Sequence, residues 1–326
     1  MQKPKVLVTR RIPQPGLDML YEHCEVELNE EERVLTKEEI VERIKDKDGM
    51  LCLLTDEIDD EILGAAPNLR GVANYAVGFN NIDVAAATKR KIPVTNTPGV
   101  LTETTADFAW ALLMAAARRV VESDRFTREG KYTGWGPSLF LGVDVYGKTL
   151  GLVGLGRIGK AVAKRAYGFD MKVLYYDLHR LSPEEEKALN LTYVSLPELL
   201  QTSDFVSLHV PLTPDTRHLI GKQELAMMKK TAVLVNTARG PVVDEAALVE
   251  ALRNGEIFAA GLDVYEDEPE LAPGLAELDN VVVAPHIASA SVETRTKMAT
   301  MAAENLIAML QGKRPPNIVN PEVYDV

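Results

Sequence analysis

The sequence predicts an α/β protein built on parallel sheets with helices on both faces. Three observations support this fold class. Short apolar segments alternate with helical segments through residues 1–98, a glycine-rich loop then joins a strand to a helix near Gly154, and the alternation resumes after that loop. Such alternation is typical of parallel sheets, because each crossover to the next strand lays a helix on a sheet face.

The first 98 residues are predicted to form a complete α/β unit. The predicted strands are Lys5–Thr9, Glu25–Leu28, Met50–Leu54, Leu69–Val77 and Pro93–Thr95. The predicted helices are Gly16–Cys24, Asp60–Ala65, Asp83–Lys91 and one from the capping box Thr36-Lys-Glu-Glu39 to about Lys47. The turn-forming run Asn96-Thr-Pro-Gly99 closes the unit.

A long helix is predicted next, over roughly Glu103–Glu122. Its middle, Phe108–Ala117, is apolar all round. We therefore expect it to be buried on every side, either in the core or in a subunit interface. The following loop, Glu129–Gly147, carries Trp135 and other large apolar side chains, which suggests contact with a partner or a site mouth. Packing on the chain's own surface is the alternative.

The segment Thr149–Asp177 has the pattern of a dinucleotide site. A strand leads into Gly154-Leu-Gly-Arg-Ile-Gly159, a helix follows, and the next strand ends at Asp177. Asp177 lies 21 residues after Gly156, close to the expected spacing of about 20. The first glycine permits a tight turn, the second permits close approach of a pyrophosphate, and the third permits close helix packing. Free N–H groups at the helix start then bind the phosphates.

The acid that ends this segment predicts the cofactor. The Asp177 carboxylate can accept hydrogen bonds from both ribose hydroxyls and would repel a 2′-phosphate. The sequence therefore favours NAD(H), with NADP(H) as the alternative. The cofactor-binding residues predicted from the segment are Gly154, Leu155, Gly156, Arg157, Ile158, Gly159 and Asp177.

Strands and helices continue to alternate beyond the loop. Helices are predicted to start at Ser182 and Ser195, and another lies between Asp244 and Gly255. The predicted strands are Phe205–Val210, Ala232–Val235, Phe258–Leu262 and Val281–Val283, and a last long helix runs from Ser289 to Gly312.

Polar residues collect after three successive strands of this second half. Arg239 follows the first strand, Asp263 and three further acids follow the second, and His286 follows the third. Ligands of open α/β sheets bind at the carboxyl ends of the strands, so an arginine, an acid and a histidine are expected beside a bound nicotinamide. Spacing alone does not choose among the acids Glu266, Asp267 and Glu268.

These residue types suit the reduction of a 2-oxo acid. Hydride addition to a carbonyl leaves negative charge on its oxygen, so a positioned acid must supply a proton. A histidine suits this near neutral pH, and an arginine can hold the substrate carboxylate with two hydrogen bonds. The remaining histidines are predicted to be structural or at the surface, and no metal-ligand pattern is present; they are His23, His179, His209 and His218.

Composition narrows the possible partners. The net charge of −12 argues against nucleic acid and anionic membranes. The two cysteines, Cys24 and Cys52, offer no disulfide framework, which favours a reducing compartment. Because the sequence also lacks a signal peptide and a membrane-length apolar run, a cytoplasmic location is expected.

Eight segments of the chain match one known family. They are Val8–Pro13, Leu53–Asp56, Asn74–Asp83, Val94–Gly99, Gly147–Gly159, Val235–Gly240, Leu262–Pro269 and Ala284–Ala288. On these segments the chain resembles the D-isomer-specific 2-hydroxyacid dehydrogenases, and among them the glyoxylate/hydroxypyruvate reductases. The resemblance extends over nearly the full length.

The resemblance implies a catalytic set of Arg239, Glu268 and His286, since the glutamate of the family directly precedes a proline. Arg239 would bind substrate, Glu268 would support the histidine, and His286 would exchange the proton. The substrate contacts that it implies are Leu54, the backbone N–H groups of Val77 and Gly78, and Trp135 from the neighbouring subunit of a homodimer. The further cofactor contacts are Thr105, Pro211, Thr216, Ala238 and Asp263.

The resemblance also implies the domain organisation. A Rossmann NAD-binding domain, residues 99–288, would be inserted in a flavodoxin-like substrate domain of residues 1–98 and 289–326. The expected activity is NAD(P)H-dependent reduction of glyoxylate or hydroxypyruvate to glycolate or D-glycerate. The alternatives are D-3-phosphoglycerate dehydrogenase or another D-2-hydroxyacid dehydrogenase and, from a different class, an NAD-binding regulatory protein on the same fold.

Overall fold

A computed structural model describes residues 3–325, so residues 1, 2 and 326 of the predicted first domain lie outside it. The chain divides into two compact units. One comprises Met1–Leu101 and Ala290–Val326, and the other comprises Thr102–Ser289. The first unit is thus assembled from both ends of the chain, and its boundaries fall within three residues of the predicted ones.

The first unit contains a five-stranded parallel sheet. Its strands are β1 (Lys5–Val8), β2 (Glu25–Leu28), β3 (Gly49–Cys52), β4 (Val72–Asn74) and β5 (Val94–Thr95). Its helices are α1 (Gln14–His23), α2 (Lys37–Ile44), α3 (Asp60–Gly64), α4 (Val84–Lys89) and α12 (Val292–Leu310), with a 3₁₀ turn at Pro321–Tyr324. The strand order β2-β1-β3-β4-β5 is that of flavodoxin-like doubly wound sheets, as expected.

Local sequence signals account for the helix starts of this unit. At the start of α2 the Thr36 hydroxyl accepts a bond from the Glu39 N–H at 3.3 Å, and the Glu39 carboxylate accepts one from the Thr36 N–H at 2.8 Å. The predicted capping box is therefore confirmed. The predicted strand Leu69–Val77 is too long, because the chain leaves the sheet after Asn74 and turns into a loop.

Helices from the two ends of the chain pack tightly in the first unit. Gly16 of α1 lies against Ala299 of α12, so closely that a Cβ built on Gly16 would be 2.7 Å from the Ala299 Cβ. Leu17, Leu20 and Leu306 are fully buried around this contact. The absence of a side chain at Gly16 sets the distance between the two helices.

The second unit contains a seven-stranded parallel sheet. Its strands are β6 (Thr149–Val153), β7 (Lys172–Tyr176), β8 (Leu191–Tyr193), β9 (Phe205–Leu208), β10 (Val233–Asn236), β11 (Ala259–Leu262) and β12 (Val281–Val283). Its helices are α5 (Thr102–Ala117), α6 (Val120–Arg128), α7 (Arg157–Ala166), α8 (Pro183–Ala188), α9 (Leu196–Thr202), α10 (Lys222–Met227) and α11 (Glu245–Arg253), with 3₁₀ turns at Tyr167–Phe169 and Gly240–Val242.

The strand order of this sheet is β12-β11-β10-β9-β6-β7-β8. The direction of winding reverses between β6 and β9, which gives a Rossmann sheet with one additional strand. The strand β8 and the helix α10 were not predicted. β8 has three residues, and the N-cap of α10 is Gly221, which has no side chain to cap the helix, so neither element carries a strong local signal.

The predicted single helix Glu103–Glu122 is wrong. The chain forms α5 and α6, separated at Arg119, whose backbone is left-handed with φ of 53°. The Ala117 carbonyl at the end of α5 accepts a bond from the Val143 N–H at 3.0 Å, and Gly142 packs directly on the same carbonyl. A contact from 26 residues further along the chain ends the helix, so the apolar pattern does not show the break.

Burial of α5 is also less complete than expected. Trp110, Leu112 and Leu113 are buried, but Ala111 is exposed and Met114 is half-buried. The helix therefore presents an apolar strip at the surface of the chain. Across the described residues, no helix has the length and apolar character needed to cross a membrane.

The contact between α1 and α12 can be tested with the Gly16→Ala variant. The added methyl group would overlap Ala299, so the free energy of unfolding should fall by about 1–3 kcal/mol. Gly168→Ala is the matched control, because a Cβ at Gly168 would meet nothing within 4 Å. Urea unfolding of both variants measures the difference, and equal stabilities would contradict the packing.

Candidate active site

The glycine loop lies between β6 and α7, beside the point where the strand order reverses. Gly154 has φ of 92°, and a Cβ on it would be 2.7 Å from the His209 carbonyl carbon. A Cβ on Gly159 would be 2.4 Å from the Gly154 carbonyl oxygen. Gly154 thus makes the turn, and Gly159 allows the helix to pack close to it.

Gly156 faces open space. A Cβ built there would meet nothing within 4 Å, and the residue is exposed. Gly156 is also the N-cap of α7 and supplies no side-chain cap, so the first turn presents backbone N–H groups and the positive end of the helix dipole. Open space in front of an uncapped helix start fits the pyrophosphate of a dinucleotide.

Asp177 ties the loop to the end of β7. One carboxylate oxygen accepts a bond from the Leu155 N–H at 2.7 Å, and the other accepts one from the His179 N–H at 2.8 Å. Each oxygen retains further acceptor capacity, so the carboxylate can still bind ribose hydroxyls. The bond to Leu155 was not predicted. It gives the Leu155 N–H a hydrogen-bond partner within the protein. The adjacent Leu178, also unpredicted, is 78% exposed.

The other predicted cofactor contacts are placed as follows. Pro211, Ala238 and Asp263 follow β9, β10 and β11 at the same edge of the sheet. Thr216 donates its hydroxyl to the Pro211 carbonyl at 2.6 Å. Thr105 is buried in the first turns of α5. All five remain predicted cofactor contacts.

Asp263 organises the backbone around His286. It is fully buried, and its two oxygens accept bonds from the Ile287 and Ala288 N–H groups, each at 2.7 Å. Burial raises the pKa of Asp263, and these two hydrogen bonds oppose that shift. The Asp263 carbonyl also accepts a bond from the His286 N–H at 2.9 Å. These contacts hold His286 in a left-handed conformation with φ of 55°.

His286 and Glu268 form a hydrogen-bonded pair. The distance from His286 Nδ1 to Glu268 Oε2 is 2.9 Å, and the two side chains are 28% and 32% exposed. The other oxygen of Glu268 accepts a bond from the Tyr265 N–H at 3.0 Å. In the structure, Glu268 is therefore the acid that is hydrogen-bonded to His286. Of the other acids, Glu266 instead binds Arg217 and His218.

Electrostatics determines the direction of the bond in this pair. Burial alone would raise the pKa of Glu268, but His286, the Tyr265 N–H and the charge of Arg239 together hold it below its ordinary value of 4.5. An ionised carboxylate can only accept hydrogen bonds. Nδ1 therefore donates to Glu268, and Nε2 is the nitrogen that can exchange a proton with a ligand.

Arg239 is half-buried at the start of the turn Gly240–Val242. Burial lowers the pKa of its guanidinium, and the charge of Glu268 partly restores it. Its Nη1 donates to the Ala238 carbonyl at 2.7 Å. The next residue, Gly240, packs against the peptide between Tyr265 and Glu266, where a Cβ would be 1.7 Å from the Tyr265 carbonyl oxygen. The segments that carry Arg239 and Glu268 thus lie against each other.

The predicted substrate residues of the first unit lie on loops after β3 and β4. Leu54 is 39% exposed. The carbonyls of Val77 and Gly78 accept bonds from the side-chain amides of Asn96 at 2.7 Å and Asn74 at 2.9 Å. Within residues 3–325, the N–H groups of Val77 and Gly78 have no hydrogen-bond acceptor. Two amides so held can bind a carboxylate.

Asn74 and Asn96 were not singled out from the sequence. Both lie in segments that carry the family resemblance, and that is the signal that could have identified them. Asparagine is otherwise common where a strand gives way to a turn, so its type alone does not indicate a supporting role.

Trp135 is 83% exposed on the loop after α6. The same loop is anchored by Phe140, whose ring lies 5.1 Å from the Phe126 ring and 5.1 Å from the Arg119 guanidinium. The structure does not bring Trp135 to Arg239 or His286, and its role in a neighbouring subunit stays a prediction.

His209 lies directly behind the glycine loop. Its Nε2 is 2.9 Å from the Ser207 hydroxyl, and burial lowers the pKa of its imidazole to about 4. A neutral histidine adds no charge beneath the loop. This agrees with its predicted structural role.

Comparisons with known proteins identify the family. Residues 110–288 match the model of the D-isomer specific 2-hydroxyacid dehydrogenase NAD binding domain. The chain is 61% identical over 327 residues to a protein of Korarchaeum cryptofilum named glyoxylate reductase, covering 99% of this chain and 98% of that protein.

Two solved structures illustrate the likeness in fold. A protein of Thermus thermophilus has a TM-score of 0.92 at 48% identity, covering 97% of this chain and 99% of the other. An NADPH-dependent glyoxylate/hydroxypyruvate reductase of Sinorhizobium meliloti has a TM-score of 0.85 at 34% identity, covering 98% and 97%. This protein is therefore an oxidoreductase that belongs to the D-isomer-specific 2-hydroxyacid dehydrogenase family.

Proposed function

We propose that the protein reduces glyoxylate to glycolate with NADH, and hydroxypyruvate to D-glycerate by the same chemistry. The observation that carries the proposal is the hydrogen bond of 2.9 Å between His286 Nδ1 and Glu268 Oε2, next to the charge of Arg239. For the reduction of a 2-oxo acid, the protein has to supply a proton donor and a cation that binds the substrate carboxylate. The name of the Korarchaeum relative supports glyoxylate as the substrate.

In this proposal Arg239 binds the substrate carboxylate and polarises the carbonyl. A guanidinium offers paired N–H donors that match a carboxylate. Because Arg239 is half-buried, water competes less for those donors and the interaction is stronger than at an exposed site. In the first unit, Leu54 and the N–H groups of Val77 and Gly78 stay the substrate contacts that the resemblance implies, and two such N–H groups suit an anionic ligand.

His286 is assigned the proton transfer. The reduced nicotinamide, when bound, supplies the hydride that the carbonyl carbon accepts. As charge develops on the carbonyl oxygen, His286 Nε2 donates a proton to it. Glu268 keeps Nδ1 protonated and stabilises the imidazolium, so the ring presents the correct nitrogen before and after the transfer.

NADH is proposed as the preferred coenzyme because Asp177 lies at the end of β7. A 2′-phosphate would meet a carboxylate that already accepts bonds from Leu155 and His179 and is held in place by them. The Sinorhizobium reductase is NADPH-dependent, so the shared fold also accommodates NADPH. The charge at Asp177 is the feature of this chain that favours NADH.

A homodimer is proposed as the working form. The apolar strip on α5 and the side chains of Val121, Trp135 and Leu141 are exposed, and exposed apolar groups of this kind suit contact with a partner. Trp135 would then contribute to the site of the other subunit, as the resemblance implies. A cytoplasmic location likewise stays a prediction from composition.

The substrate is tested by following NADH and NADPH oxidation with glyoxylate, hydroxypyruvate, pyruvate and phosphohydroxypyruvate. Turnover should be highest with glyoxylate and hydroxypyruvate. His286→Ala should lower kcat by about 100-fold or more, because it removes the proton donor, while NADH binding is retained. No turnover with any substrate would reject the proposal, and turnover confined to the phosphorylated substrate would instead support a phosphoglycerate dehydrogenase.

The pKa of Glu268 predicts how its contribution to stability varies with pH. A carboxyl group whose folded-state pKa is depressed stabilises the fold above its ordinary pKa of 4.5, and this stabilisation disappears as pH falls through the lowered value. The difference in unfolding free energy between wild type and Glu268→Gln should therefore be constant above pH 4.5 and shrink below it. Denaturant unfolding across this pH range measures it. A difference that grows on acidification would contradict the assignment.

Coenzyme choice is tested with Asp177→Asn. The amide removes the negative charge but keeps one oxygen acceptor for the loop. Two like charges side by side, here the Asp177 carboxylate and the 2′-phosphate of NADPH, cost several kcal/mol. Without the carboxylate, the ratio of kcat/KM for NADPH over NADH should therefore rise by roughly 10-fold or more. Glu184→Gln is the control, because it removes one negative charge from an exposed position on α8. An unchanged ratio in Asp177→Asn would show that this carboxylate does not face the ribose.

A further inference from the structure

Glu245 is a buried carboxylate without a part in the reaction described above. It is the first residue of α11 and is 5% exposed. The helix does not need it as a cap, because the Asp244 side chain already accepts a bond from the Ala247 N–H at 2.9 Å. The Glu245 side chain binds the loop after β11 instead.

The two carboxylate oxygens of Glu245 accept hydrogen bonds from this loop on both sides of Glu268. Oε2 accepts a bond from the Glu266 N–H at 2.8 Å, and Oε1 accepts one from the Ala272 N–H at 3.2 Å. We call residues 266–272 the acid loop. One carboxylate therefore fixes both ends of the segment that carries Glu268.

Two further contacts restrain the start of the acid loop. Gly240 packs against the peptide between Tyr265 and Glu266, the same peptide whose N–H binds Glu245. The Tyr265 hydroxyl donates to the Ala284 carbonyl at 2.8 Å, two residues before His286. The loop is thus positioned relative to both Arg239 and His286, the neighbours that Glu268 must meet.

The surrounding charges make a buried carboxylate tolerable at this position. Glu245 lies at the N-terminus of α11, where the helix dipole favours negative charge. The nearby Glu266 carboxylate has partners of its own, since one of its oxygens lies 3.1 Å from Arg217 Nη2 and 2.5 Å from His218 Nε2. Its other oxygen accepts a bond from the Glu245 N–H at 3.4 Å. The Glu245 carboxylate is therefore left to bind the two backbone N–H groups.

We propose that Glu245 is a positioning residue for the reaction. It holds the acid loop so that Glu268 Oε2 reaches His286 Nδ1, and it acts on catalysis only through that pair. The inference rests on the proposed function for its catalytic consequence. The structural part, that Glu245 orders the acid loop, stands independently of the substrate.

The test uses the full-length Glu245→Gln variant with Glu250→Gln as the matched control. The amide has nearly the same shape as the carboxylate, but its NH₂ group cannot accept a bond, so one loop N–H loses its acceptor. Glu250 lies on the same helix, is exposed, and is 3.4 Å from Lys222 across the surface. Both variants remove one negative charge from α11.

Hydrogen–deuterium exchange followed by mass spectrometry reports the position of the loop without any substrate. Exchange of peptides that span residues 265–273 should become roughly 3- to 10-fold faster in Glu245→Gln, because a lost hydrogen bond weakens the closed state. It should be unchanged in Glu250→Gln. Unchanged exchange in Glu245→Gln would overturn the inference. If Glu245→Gln does not fold, Glu245→Asp, which is shorter and cannot reach both N–H groups, is measured in the same way.

Kinetics tests the consequence for the reaction. With glyoxylate and NADH, kcat of Glu245→Gln should fall roughly 10- to 100-fold from misplacement of Glu268. The dissociation constant for NADH should stay within about two-fold, since the glycine loop is untouched. The acid limb of the kcat profile should move to higher pH, because Glu268 loses the partners that lower its pKa. A general loss of structure would weaken NADH binding together with kcat and would leave the acid limb of the kcat profile at its wild-type pH. That outcome would reject a positioning role.

The two measurements separate this inference from the proposed function. If exchange increases while wild type fails to reduce any 2-oxo acid, the proposed function is wrong and the positioning of the loop by Glu245 is supported. If wild type turns over glyoxylate while exchange and kcat of Glu245→Gln are unchanged, the proposed function is supported and this inference is rejected.

Discussion

The hydrogen bond between Glu268 and His286 depends on the alignment of two neighbouring strands. β11 and β12 pair in parallel, with Leu262 opposite Val283, so the segments that follow them leave the sheet at the same level. Residues 18 positions apart in sequence can then meet at 2.9 Å. β10 on the other side of β11 brings the Arg239 segment to the same edge. The register of three parallel strands thus determines which polar side chains become neighbours.

Loops at this edge are held by carboxylates that accept two backbone N–H groups each. Asp177 binds Leu155 and His179, Asp263 binds Ile287 and Ala288, and Glu245 binds Glu266 and Ala272. A buried backbone N–H requires an acceptor, and a carboxylate can satisfy two such groups in loops that lack regular pairing. The same two bonds reduce the cost of burying the negative charge. Each of these acids therefore stabilises a loop and sets the position of a functional neighbour.

In the first unit, neutral side chains hold the loop that follows β4. Asn74, Asn81 and Asn96 bind backbone carbonyls around the loop that contains Val77 and Gly78. Amide donors satisfy the carbonyls without adding negative charge. A loop whose free N–H groups are to receive an anion is better held in this way, because a carboxylate in the same place would repel the ligand. The neutral support of this loop thus matches the anionic group proposed to bind there.

Much of the fold could be predicted from the sequence because its signals are local. The glycine loop, both serine-capped helix starts, the capping box at Thr36 and the strand β7 depend on backbone conformations that neighbouring residues control. Alternation of apolar segments indicated the parallel sheets, since each strand must be buried on both faces. The identities of Arg239 and His286 as strand-end residues followed from the same pattern.

Contacts between distant residues decided the rest. The break between α5 and α6 arises because the segment around Val143 binds the end of α5. The apolar pattern of the helix does not predict this break. Among the three acids Glu266, Asp267 and Glu268, residue spacing left the choice open and the family resemblance implied Glu268. The path of the acid loop then brings the Glu268 carboxylate to His286. The bonds of Asp177 to Leu155 and of Asp263 to Ile287 also join segments that meet only in the folded sheet. The sequence by itself determined which residue types stand at the strand ends. The tertiary structure decided which of them touch, because hydrogen bonds form between atoms that folding brings within about 3 Å.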